Sequence, residues 1–403
     1  MKANAQAAST IVVQKFGGTS LGTPEQRMLA ARRVREARDA GLRTVVITSA
    51  MGRAPSPYAT DSLIALAHAA PSGANRDLLL ACGEIIAAGV FAEILESLGI
   101  DARALTGGQA GIITDKQHGE ANILRVDPRL VVDLLDRGVT PVIAGFQGIT
   151  DDGVITTIGR GGSDLTAVAM AGALGNARLE IFTDVDGIMS ADPRRVDGAH
   201  TVAKLSFAEV SELADLGANV MQDRAAELAR DRRIPFAVRS LAGGAGSTIG
   251  DDASTDTSRP VTGLATIAGL CFVHIVPEAA VMPGGWEQQV FRTIYESRIS
   301  LDCINVNNAG IFFVVADDEH QRVHELLAVL PVAVRTRRDC AKVSIVGAAM
   351  RGTPGVMFRV VEALSKANVP IVHSTDSNIT ISVLVPGTQA SAAESALHAY
   401  FHL

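Results

Sequence analysis

Two short glycine-containing segments carry the residue types that proteins use to bind anions. They are Lys15-Phe16-Gly17-Gly18-Thr19-Ser20 and Arg160-Gly161-Gly162-Ser163-Asp164. Each follows an apolar run typical of a strand and precedes a helical pattern, so each is expected to present unpaired backbone N–H groups and a helix N-terminus to a ligand. A lysine with two hydroxyls suits a phosphate, and an arginine with a serine and an aspartate suits a site for a small carboxylate. Together the two segments predict phosphoryl transfer.

The alternation of strands and helices before residue 242 indicates how the two segments are positioned. Buried strands are predicted at Ile11–Phe16, Thr44–Thr48, Val139–Phe146 and Leu179–Thr183, and helices around Glu25–Asp39, Arg76–Leu98, Arg129–Arg137 and Asp164–Leu174. Thr150–Thr157 is typical of a hairpin that leads into the second glycine segment. The alternation favours a doubly wound α/β domain with a mostly parallel sheet at residues 1–241.

A different pattern follows a turn-rich segment at residues 242–262, which we expect to be a linker. A strand, a loop, a helix and two strands then occur twice, at residues 263–333 and 341–403. The predicted elements are strands at Ser300–Val306 and Gly310–Val315, then a helix at Val356–Ala367 and strands at Pro370–Ser374 and Ile379–Val385. Two ferredoxin-like repeats of βαβ type predict a paired small-molecule-binding module.

Length and composition exclude several classes of protein. A chain of 403 residues exceeds one comfortable core, and 47% apolar with 20% charged residues is typical of a folded globular protein. The formal net charge of −7 gives no basic footprint for nucleic acid. No apolar stretch reaches the ~18 residues of a membrane span, and residues 1–10 do not resemble a signal peptide, so a cytoplasmic protein is expected. The four scattered cysteines are expected to be buried free thiols.

Six segments, taken together and in this order, identify a family. They are Val13-Gln14-Lys15-Phe16-Gly17-Gly18-Thr19-Ser20, Ser49-Ala50-Met51-Gly52-Arg53, Cys82-Gly83-Glu84, Ala144-Gly145-Phe146-Gln147-Gly148, Thr156-Thr157-Ile158-Gly159-Arg160-Gly161-Gly162-Ser163-Asp164 and Thr183-Asp184-Val185-Asp186-Gly187. In these segments the chain resembles the aspartokinases of the amino-acid kinase superfamily. The resemblance covers the whole chain, including two C-terminal ACT regulatory repeats. Pro57-Tyr58-Ala59-Thr60-Asp61 and Asp339-Cys340-Ala341-Lys342-Val343-Ser344 look closest to the diaminopimelate-sensitive isozyme type.

The resemblance implies that the γ-phosphoryl group of ATP moves to the side-chain carboxylate of L-aspartate. The product, 4-phospho-L-aspartate, is the first intermediate towards lysine, threonine and methionine. The nucleophile is already anionic, so the reaction needs positive charge and fixed geometry rather than a general base. Lys15 with the N–H groups of Gly17 and Gly18 would neutralise the phosphoryl group, and Thr19 and Ser20 would bond phosphate oxygens or only cap the next helix. Mg²⁺ is implied with the nucleotide, without a metal-ligand cluster in the protein.

The resemblance also places the amino-acid substrate against the second glycine segment. Arg160 would hold the α-carboxylate in a bidentate fork, with Gly161–Ser163 lining the site. Glu84 would bind the substrate ammonium; a helical glutamate is more often a solvated surface charge, but the apolar residues on both sides of this one argue against exposure. Asp164 is either an N-terminal helix cap or a residue that orients catalytic lysines. Ser49 would help to hold the substrate.

Further positions are implied for the nucleotide and for an effector. The nucleotide would contact Phe16, Thr183 and Asp184, in a region that continues to about Asp192-Pro193-Arg194. Polar residues at strand ends are more often turn or surface residues, but the resemblance marks five as effector contacts: Asp302, Asn305, Asp376, Ser377 and Asn378. The effector stays open among lysine, threonine and diaminopimelate. Pairing of ACT repeats between chains implies a homodimer or a higher oligomer.

Three positions depart from the family pattern. Asn219 stands where members carry a lysine near the phosphates, Asp223 where they carry a proline, and Ala87 where they carry a small hydroxyl residue. Arg224 would either replace the missing cation in part or form an ordinary surface contact. Two alternatives to the aspartokinase therefore stay open. One is a relative with another carboxylate or phosphate acceptor, and the other is a weakly active or silent paralogue that senses amino acids and regulates a partner.

Overall fold

The protein divides into two compact units that do not follow the chain in simple order. The computed structural model describes residues 10–67, 72–175, 177–217, 221–251, 260–278, 285–350 and 353–403. The first unit comprises Met1–Ile188, Thr201–Ala214 and Asn219–Ser254. The second comprises Met189–His200, Asp215–Ala218 and Thr255–Leu403. Residues 189–200 therefore belong to the second unit, although the chain enters and leaves them from the first.

The first unit alternates strands and helices, as the sequence predicts. Its elements in chain order are β1 Ile11–Phe16, α1 Pro24–Asp39, β2 Arg43–Thr48, α2 Thr60–Ala65, α3 Ala74–Ser97, β3 Ala102–Leu105, β4 Ile112–Thr114, β5 Ile123–Val126, α4 Arg129–Asp136, β6 Thr140–Ala144, β7 Gln147–Ile149, β8 Ile155–Thr157, α5 Gly162–Ala173, β9 Arg178–Thr183, β10 Lys204–Leu205, α6 Phe207–Asp215, α7 Asp223–Asp231, β11 Phe236–Ser240 and β12 Ser247–Ile249.

Most of these strands form one large sheet in the order β10-β12-β11-β9-β1-β2-β6-β3. From β11 to β3 all neighbours are parallel, and β12 is antiparallel to β11. Side chains alternate between the faces of a strand, so Phe16 packs with α1 and α3 while Lys15 faces α5. Helices thus cover both faces, and the prediction of a doubly wound sheet is confirmed. A smaller sheet has the order β5-β4-β7-β8.

Helix α3 contradicts the expectation that no apolar stretch is long enough to span a membrane. It has 24 residues, and its most apolar 18-residue window has a mean hydropathy of 2.1. Half of that window is buried inside the protein, where Phe91 and Leu95 pack in one core with Phe16 and Val34. The apolar surface of α3 is used in the core of the first unit, as in the long central helix of a globular domain.

The second unit contains the two predicted repeats. Its elements are β13 Gly263–Pro277, α8 Trp286–Glu296, β14 Asp302–Asn307, β15 Gly310–Ala316, α9 His320–Leu327, β16 Val332–Val346, α10 Val356–Lys366, β17 His373–Asp376, β18 Thr380–Pro386 and α11 Ala390–Phe401. The strands form a single antiparallel sheet in the order β14-β15-β13-β16-β18-β17. Each repeat has its own apolar core, and that of the second repeat includes Ala191 and Val196 from residues 189–200.

Several predicted boundaries differ from the structure. The strand expected at Val139–Phe146 is only Thr140–Ala144, because Phe146 takes a left-handed φ of 66° that a strand cannot accommodate. Part of the expected linker at 242–262 is a strand: Ser247–Ile249 pairs with β11 in the large sheet, while residues 252–259 lie outside the described residues. All four cysteines are free, but only Cys271 and Cys340 are buried.

Candidate active site

Four parallel strands of the large sheet end at the same level. Phe16 pairs with Thr48 and with Phe182, and Thr48 pairs with Ala144. Parallel strands that end together send the following segments out of one edge of the sheet, which is where ligands bind in open α/β sheets. Gly17, Ser49 and Gly145 directly follow the ends of β1, β2 and β6 at this edge, and Thr183 is the last residue of β9.

The first glycine segment is folded tightly against the segment that follows β2. The N–H of Gly52 donates to the carbonyl of Gly18 at 2.9 Å. A Cβ on Gly18 would lie 2.7 Å from the carbonyl oxygen of Ala50, so only glycine fits there. The N–H of Gly17 donates to the carbonyl of Phe182 at 3.4 Å. The prediction of an unpaired N–H at Gly17 is therefore wrong in this structure.

The helix cap that Thr19 or Ser20 could have supplied is supplied by Thr23. The Thr23 hydroxyl accepts a hydrogen bond from the N–H of Gln26 at 3.3 Å, and the Gln26 side chain accepts one from the N–H of Thr23 at 3.0 Å. This capping box starts α1 at Pro24. The buried hydroxyl of Ser20 donates to the carbonyl of Phe182 at 3.4 Å. The capping interpretation of Thr19 and Ser20 is therefore wrong.

The second glycine segment makes the turn into α5. Gly161 has a left-handed φ of 65°, and a Cβ there would lie 2.0 Å from Cγ of Gln222. Both the left-handed backbone conformation and the close approach of the Gln222 side chain thus require glycine at position 161. Ser163 is buried against Gly145. A Cβ added to Gly145 would lie 2.8 Å from the Cβ of Ser163. The N–H of Gly162 donates to a carbonyl within the turn, at Gly159, at 3.0 Å, so it too is paired.

An ion pair joins the two glycine segments. Nζ of Lys15 lies 2.6 Å from Oδ1 of Asp164, and the two side chains are only 11% and 13% exposed. Asp164 lies in the first turn of α5, and Gly161 occupies the N-cap position. The alternative of a helix cap for Asp164 is therefore wrong, because its carboxylate is directed at the lysine. A cation held this way at the sheet edge can neutralise a phosphate without moving.

Glu84 is a buried carboxyl group with an unused oxygen. Its residue is 2% exposed, and Oε1 accepts a hydrogen bond from the N–H of Ala50 at 3.2 Å. Among the described residues, the buried Oε2 has no hydrogen-bond partner. Burial raises the pKa of Glu84 to about 8, against the opposing effect of the Ala50 N–H. Such a group can accept a bond from a cationic ligand and would ionise when it does so.

The remaining predicted residues at this edge are more exposed to solvent than Lys15 and Glu84. Arg160 is exposed, and within the described part of the chain its guanidinium takes part in neither a hydrogen bond nor an ion pair. Ser49 is half-buried, and its N–H donates to the carbonyl of Phe16 at 3.1 Å. The Thr183 hydroxyl donates to the exposed carboxylate of Asp184 at 3.0 Å. Arg160 is therefore a cation at this edge that is available to a carboxylate from solution.

Two of the three departures from the family pattern cannot be placed, because Asn219 and the side chain of Asp223 lie outside the described residues. Ala87 is 1% exposed and packs in the core that contains Phe16 and Val46. A hydroxyl group at position 87 would face apolar side chains and would need a buried partner. The alanine at this position therefore suits the core of the first unit.

Two side chains that the sequence does not connect with the second glycine segment support it in the structure. Asp77 is fully buried in α3, and its carboxylate accepts hydrogen bonds from the N–H and hydroxyl groups of Thr157 at 3.1 and 2.8 Å. Arg224 donates to the carbonyl of Ile158 at 3.1 Å, so it is neither an ordinary surface residue nor a free cation. The sequence signal that could have identified Asp77 is its position two turns before Glu84, on the same face of an apolar helix.

The five predicted effector residues do not converge within the chain. Asp302 and Asn305 lie on β14, whereas Asp376 ends β17, at the opposite edge of the six-stranded sheet. Burial opposes ionisation of Asp302, but its ion pair with the buried Lys342 holds its pKa below the usual range. Ser377 and Asn378 form the turn between β17 and β18, where the N–H of Ser377 donates to the carbonyl of Thr380 at 2.8 Å.

Comparison with known families identifies the class of protein to which this sheet and its edge belong. Residues 10–240 match the model of the amino acid kinase family, and residues 335–399 match that of an ACT domain. The first match spans the elements that build the large sheet and both glycine segments. The chain belongs to the amino acid kinase family.

Full-length relatives narrow this assignment. The chain is 39% identical to aspartokinase 1 of Bacillus subtilis over 405 residues, 98% of this chain and 99% of that one. Its fold is similar to that of E. coli aspartokinase III in complex with aspartate and ADP (TM-score 0.75) and with lysine and aspartate (TM-score 0.77). Both of those structures are 24% identical and cover 98% of this chain and 100% of theirs. Within the family, the chain belongs to the aspartokinases.

These matches bear on the open alternatives. The resemblance to aspartokinases and the fold class are confirmed. No observation favours the alternative of a regulatory paralogue without activity.

Within the part of the chain that the structure describes, no three His, Cys, Asp or Glu side chains converge as a metal site would require.

Proposed function

We propose that the protein transfers the γ-phosphoryl group of ATP to the side-chain carboxylate of L-aspartate, as the first step towards lysine, threonine and methionine. The observation that carries this proposal is that three groups of complementary chemistry lie at one edge of the sheet: the Lys15–Asp164 ion pair, the buried Glu84 and the exposed Arg160. A cation for a phosphate, an acid for an ammonium and a guanidinium for a carboxylate together match a nucleotide phosphate and an α-amino acid. The similarity to aspartokinases supports ATP and aspartate as this pair.

On the phosphate side, Lys15 is the catalytic cation. Its ammonium group would stabilise the negative charge of the transferring phosphoryl group, and Asp164 would hold it in place before and during transfer. The backbone of Gly17–Ser20 would line the phosphates, which requires the weak 3.4 Å bond between Gly17 and Phe182 to be exchanged for one to the ligand. Thr183 and Asp184 would contact the nucleoside.

On the acceptor side, Arg160 and Glu84 would fix the two charged groups that every α-amino acid carries. Arg160 would bind the α-carboxylate in a bidentate manner, with Gly161–Ser163 and Ser49 around it. Glu84 would bind the ammonium group through its unpartnered Oε2. The side-chain carboxylate is then left as the nucleophile, and it needs no general base because it is already ionised.

Magnesium would be carried by the nucleotide. The acidic residues at this edge suit that arrangement, because Asp164 is paired with Lys15 and Asp184 is an exposed carboxylate bonded to Thr183. They do not form a cage for the ion, whereas phosphate oxygens with water complete the octahedral geometry that Mg²⁺ prefers. When bound, Mg²⁺ would offset the charge of the phosphates.

The second unit would regulate the reaction. We infer that its ACT repeats bind an amino acid and that two chains pair through these repeats in a homodimer or higher oligomer. Since Asp302 and Asp376 lie at opposite edges of one sheet, a site that uses both would be completed by a second chain. Lysine, threonine and diaminopimelate are the effectors to test. The protein would act in the cytoplasm.

Trapping the acyl phosphate with hydroxylamine tests the proposed reaction. Purified protein with ATP, Mg²⁺ and aspartate should give aspartyl hydroxamate, and added effector should lower its rate. Lys15→Ala should reduce kcat by roughly a hundredfold or more, because one preorganised cation is lost from the transition state. Lys204→Ala, which removes an exposed lysine of β10, is the matched control and should keep full activity. No hydroxamate from the wild type, or equal rates for Lys15→Ala, would overturn the proposal.

A further inference from the structure

In the described part of the chain, the Asp77 carboxylate makes four polar contacts, and all of its partners lie outside α3. It is 0% exposed, and its Oδ1 accepts a hydrogen bond from the Thr157 hydroxyl at 2.8 Å. Its Oδ2 accepts from the N–H groups of Thr157 and Gly119 at 3.1 and 3.2 Å, and lies 2.7 Å from Nδ1 of His118. A buried carboxylate with donors on both oxygens fixes those donors strongly, because each bond is charge-assisted.

The segment that Asp77 holds is the one that leads directly to Arg160. The carbonyl of Thr157 accepts a hydrogen bond from the N–H of Ala121 at 2.9 Å, and the N–H of Ile158 donates to the carbonyl of Phe146 at 3.0 Å. Together with Arg224 on the carbonyl of Ile158, these bonds fix the backbone of 157–158 from several sides. The Arg160 side chain is exposed beyond this fixed backbone, so the backbone sets where its guanidinium can reach.

One rigid helix thus supports both ends of the amino-acid site. Asp77 and Glu84 are seven residues apart on α3, which places them two turns apart on the same face. Glu84 contacts the segment after β2 through Ala50, and Asp77 contacts the last residue of β8, Thr157. The distance between the proposed ammonium and carboxylate sites therefore depends on the fixed separation of Asp77 and Glu84 along one helix.

We propose that Asp77 is a positioning residue that sets the affinity for the amino-acid substrate by fixing the 157–160 backbone relative to Glu84. This inference rests on the proposed function, in which Arg160 binds the substrate carboxylate. Asp77 touches no reacting group, so its loss should weaken aspartate binding and leave phosphoryl transfer from bound substrates nearly intact. A purely structural role would instead lower stability and affect both substrates equally.

The test is steady-state kinetics on the full chain. Asp77→Asn keeps the shape of the side chain but removes its charge and places an N–H₂ group against other donors. We expect the KM for aspartate to rise roughly tenfold, with kcat and the KM for ATP within about twofold of wild type. Thr157→Val removes only the 2.8 Å hydroxyl bond and should shift the aspartate KM less. Asp136→Asn, at an exposed aspartate paired with Arg43, should change neither constant.

A double variant and Arg160→Ala make the outcome decisive. Asp77→Asn combined with Thr157→Val should cost less than the sum of the two single changes, because they disrupt one interaction. If Arg160→Ala raises the aspartate KM while Asp77→Asn and Thr157→Val do not, this inference is wrong and the proposed function stands. If Arg160→Ala leaves the aspartate KM unchanged, the assignment of the substrate carboxylate fails instead. Equal losses for both substrates in Asp77→Asn and Thr157→Val would assign Asp77 a structural role only.

Discussion

Glu84 is the residue whose ordinary chemistry the fold changes most. A glutamate in water is ionised at neutral pH, whereas burial in α3 raises the pKa of Glu84 to about 8. The free protein therefore holds it mostly protonated at pH 7. A bound ammonium group favours the carboxylate form, so binding of an amino acid would expel that proton. The neutral resting form avoids the cost of an unpaired buried charge until a substrate provides the partner.

The raised pKa of Glu84 gives aspartate binding a pH dependence with a definite sign. Aspartate should bind more tightly as pH rises from about 6 to about 8, because less free energy is then needed to ionise Glu84. Near pH 7, binding should release about one proton, which calorimetry in two buffers of different ionisation enthalpy measures directly. Glu84→Gln should bind aspartate weakly and release no proton. Glu93→Gln, at an exposed glutamate of the same helix, should behave as wild type. Binding that is independent of buffer would contradict this role.

At the scale of elements, the sequence predicted what depends on local pattern. The positions of Lys15 and Ser49 follow from where β1 and β2 end, and an apolar run with a glycine signal marks such an end in the chain itself. The contacts of Asp77 and Arg224 could not be predicted in this way, because each pairs with residues 66 or 80 positions away. The cap of α1 stayed open in the sequence, because Thr19, Ser20 and Thr23 are all plausible caps, and only the conformation of the loop selects among them.

The turn into α5 depends on glycine for two separable reasons. Gly161 has a left-handed φ of 65° and also contacts Gln222, whereas Gly175, just beyond the other end of α5, has a φ of 78° with open space around it. Gly161→Ala and Gly175→Ala share the conformational cost of about 1 kcal/mol. Only the first adds a steric overlap, so we expect Gly161→Ala to lower the free energy of unfolding by about 1–3 kcal/mol more.

Gln222→Gly, which removes both the Cβ and the Cγ that would lie 2.2 and 2.0 Å from a Cβ at position 161, completes the comparison, measured by denaturant unfolding and by kinetics. In that background the Gly161→Ala substitution should cost no more than Gly175→Ala, because the overlapping side chain is gone. Activity should fall with Gly161→Ala and recover in part with the second substitution, since the backbone before α5 leads to Arg160 and Asp164. Equal costs for the two glycines in the wild-type background would show that Gln222 moves aside without penalty.

At the scale of the whole molecule, residues 189–200 link the two units through the chain. They follow β9, whose end carries the proposed nucleotide residues, yet they pack in the core of the second repeat. The hydroxyl of Ser190 lies 3.0 Å from Nε2 of His398, and Arg195 forms an ion pair with the buried Glu394. Both partners belong to α11. Residues 189–200 thus precede the predicted boundary at residue 241, although they pack in the second unit.

The packing of residues 189–200 predicts opposite effects of the same substitutions in two lengths of chain. Ala191 and Val196 are 3% and 4% exposed in the second unit, so Ala191→Ser with Val196→Thr should destabilise the full chain, by about 1–3 kcal/mol in total. A chain that ends at residue 254 lacks their partners and exposes both apolar side chains. There the same substitutions should raise soluble yield, as measured by size-exclusion chromatography beside thermal unfolding. Substitutions that act alike in both lengths would mean that residues 189–200 fold without the second repeat.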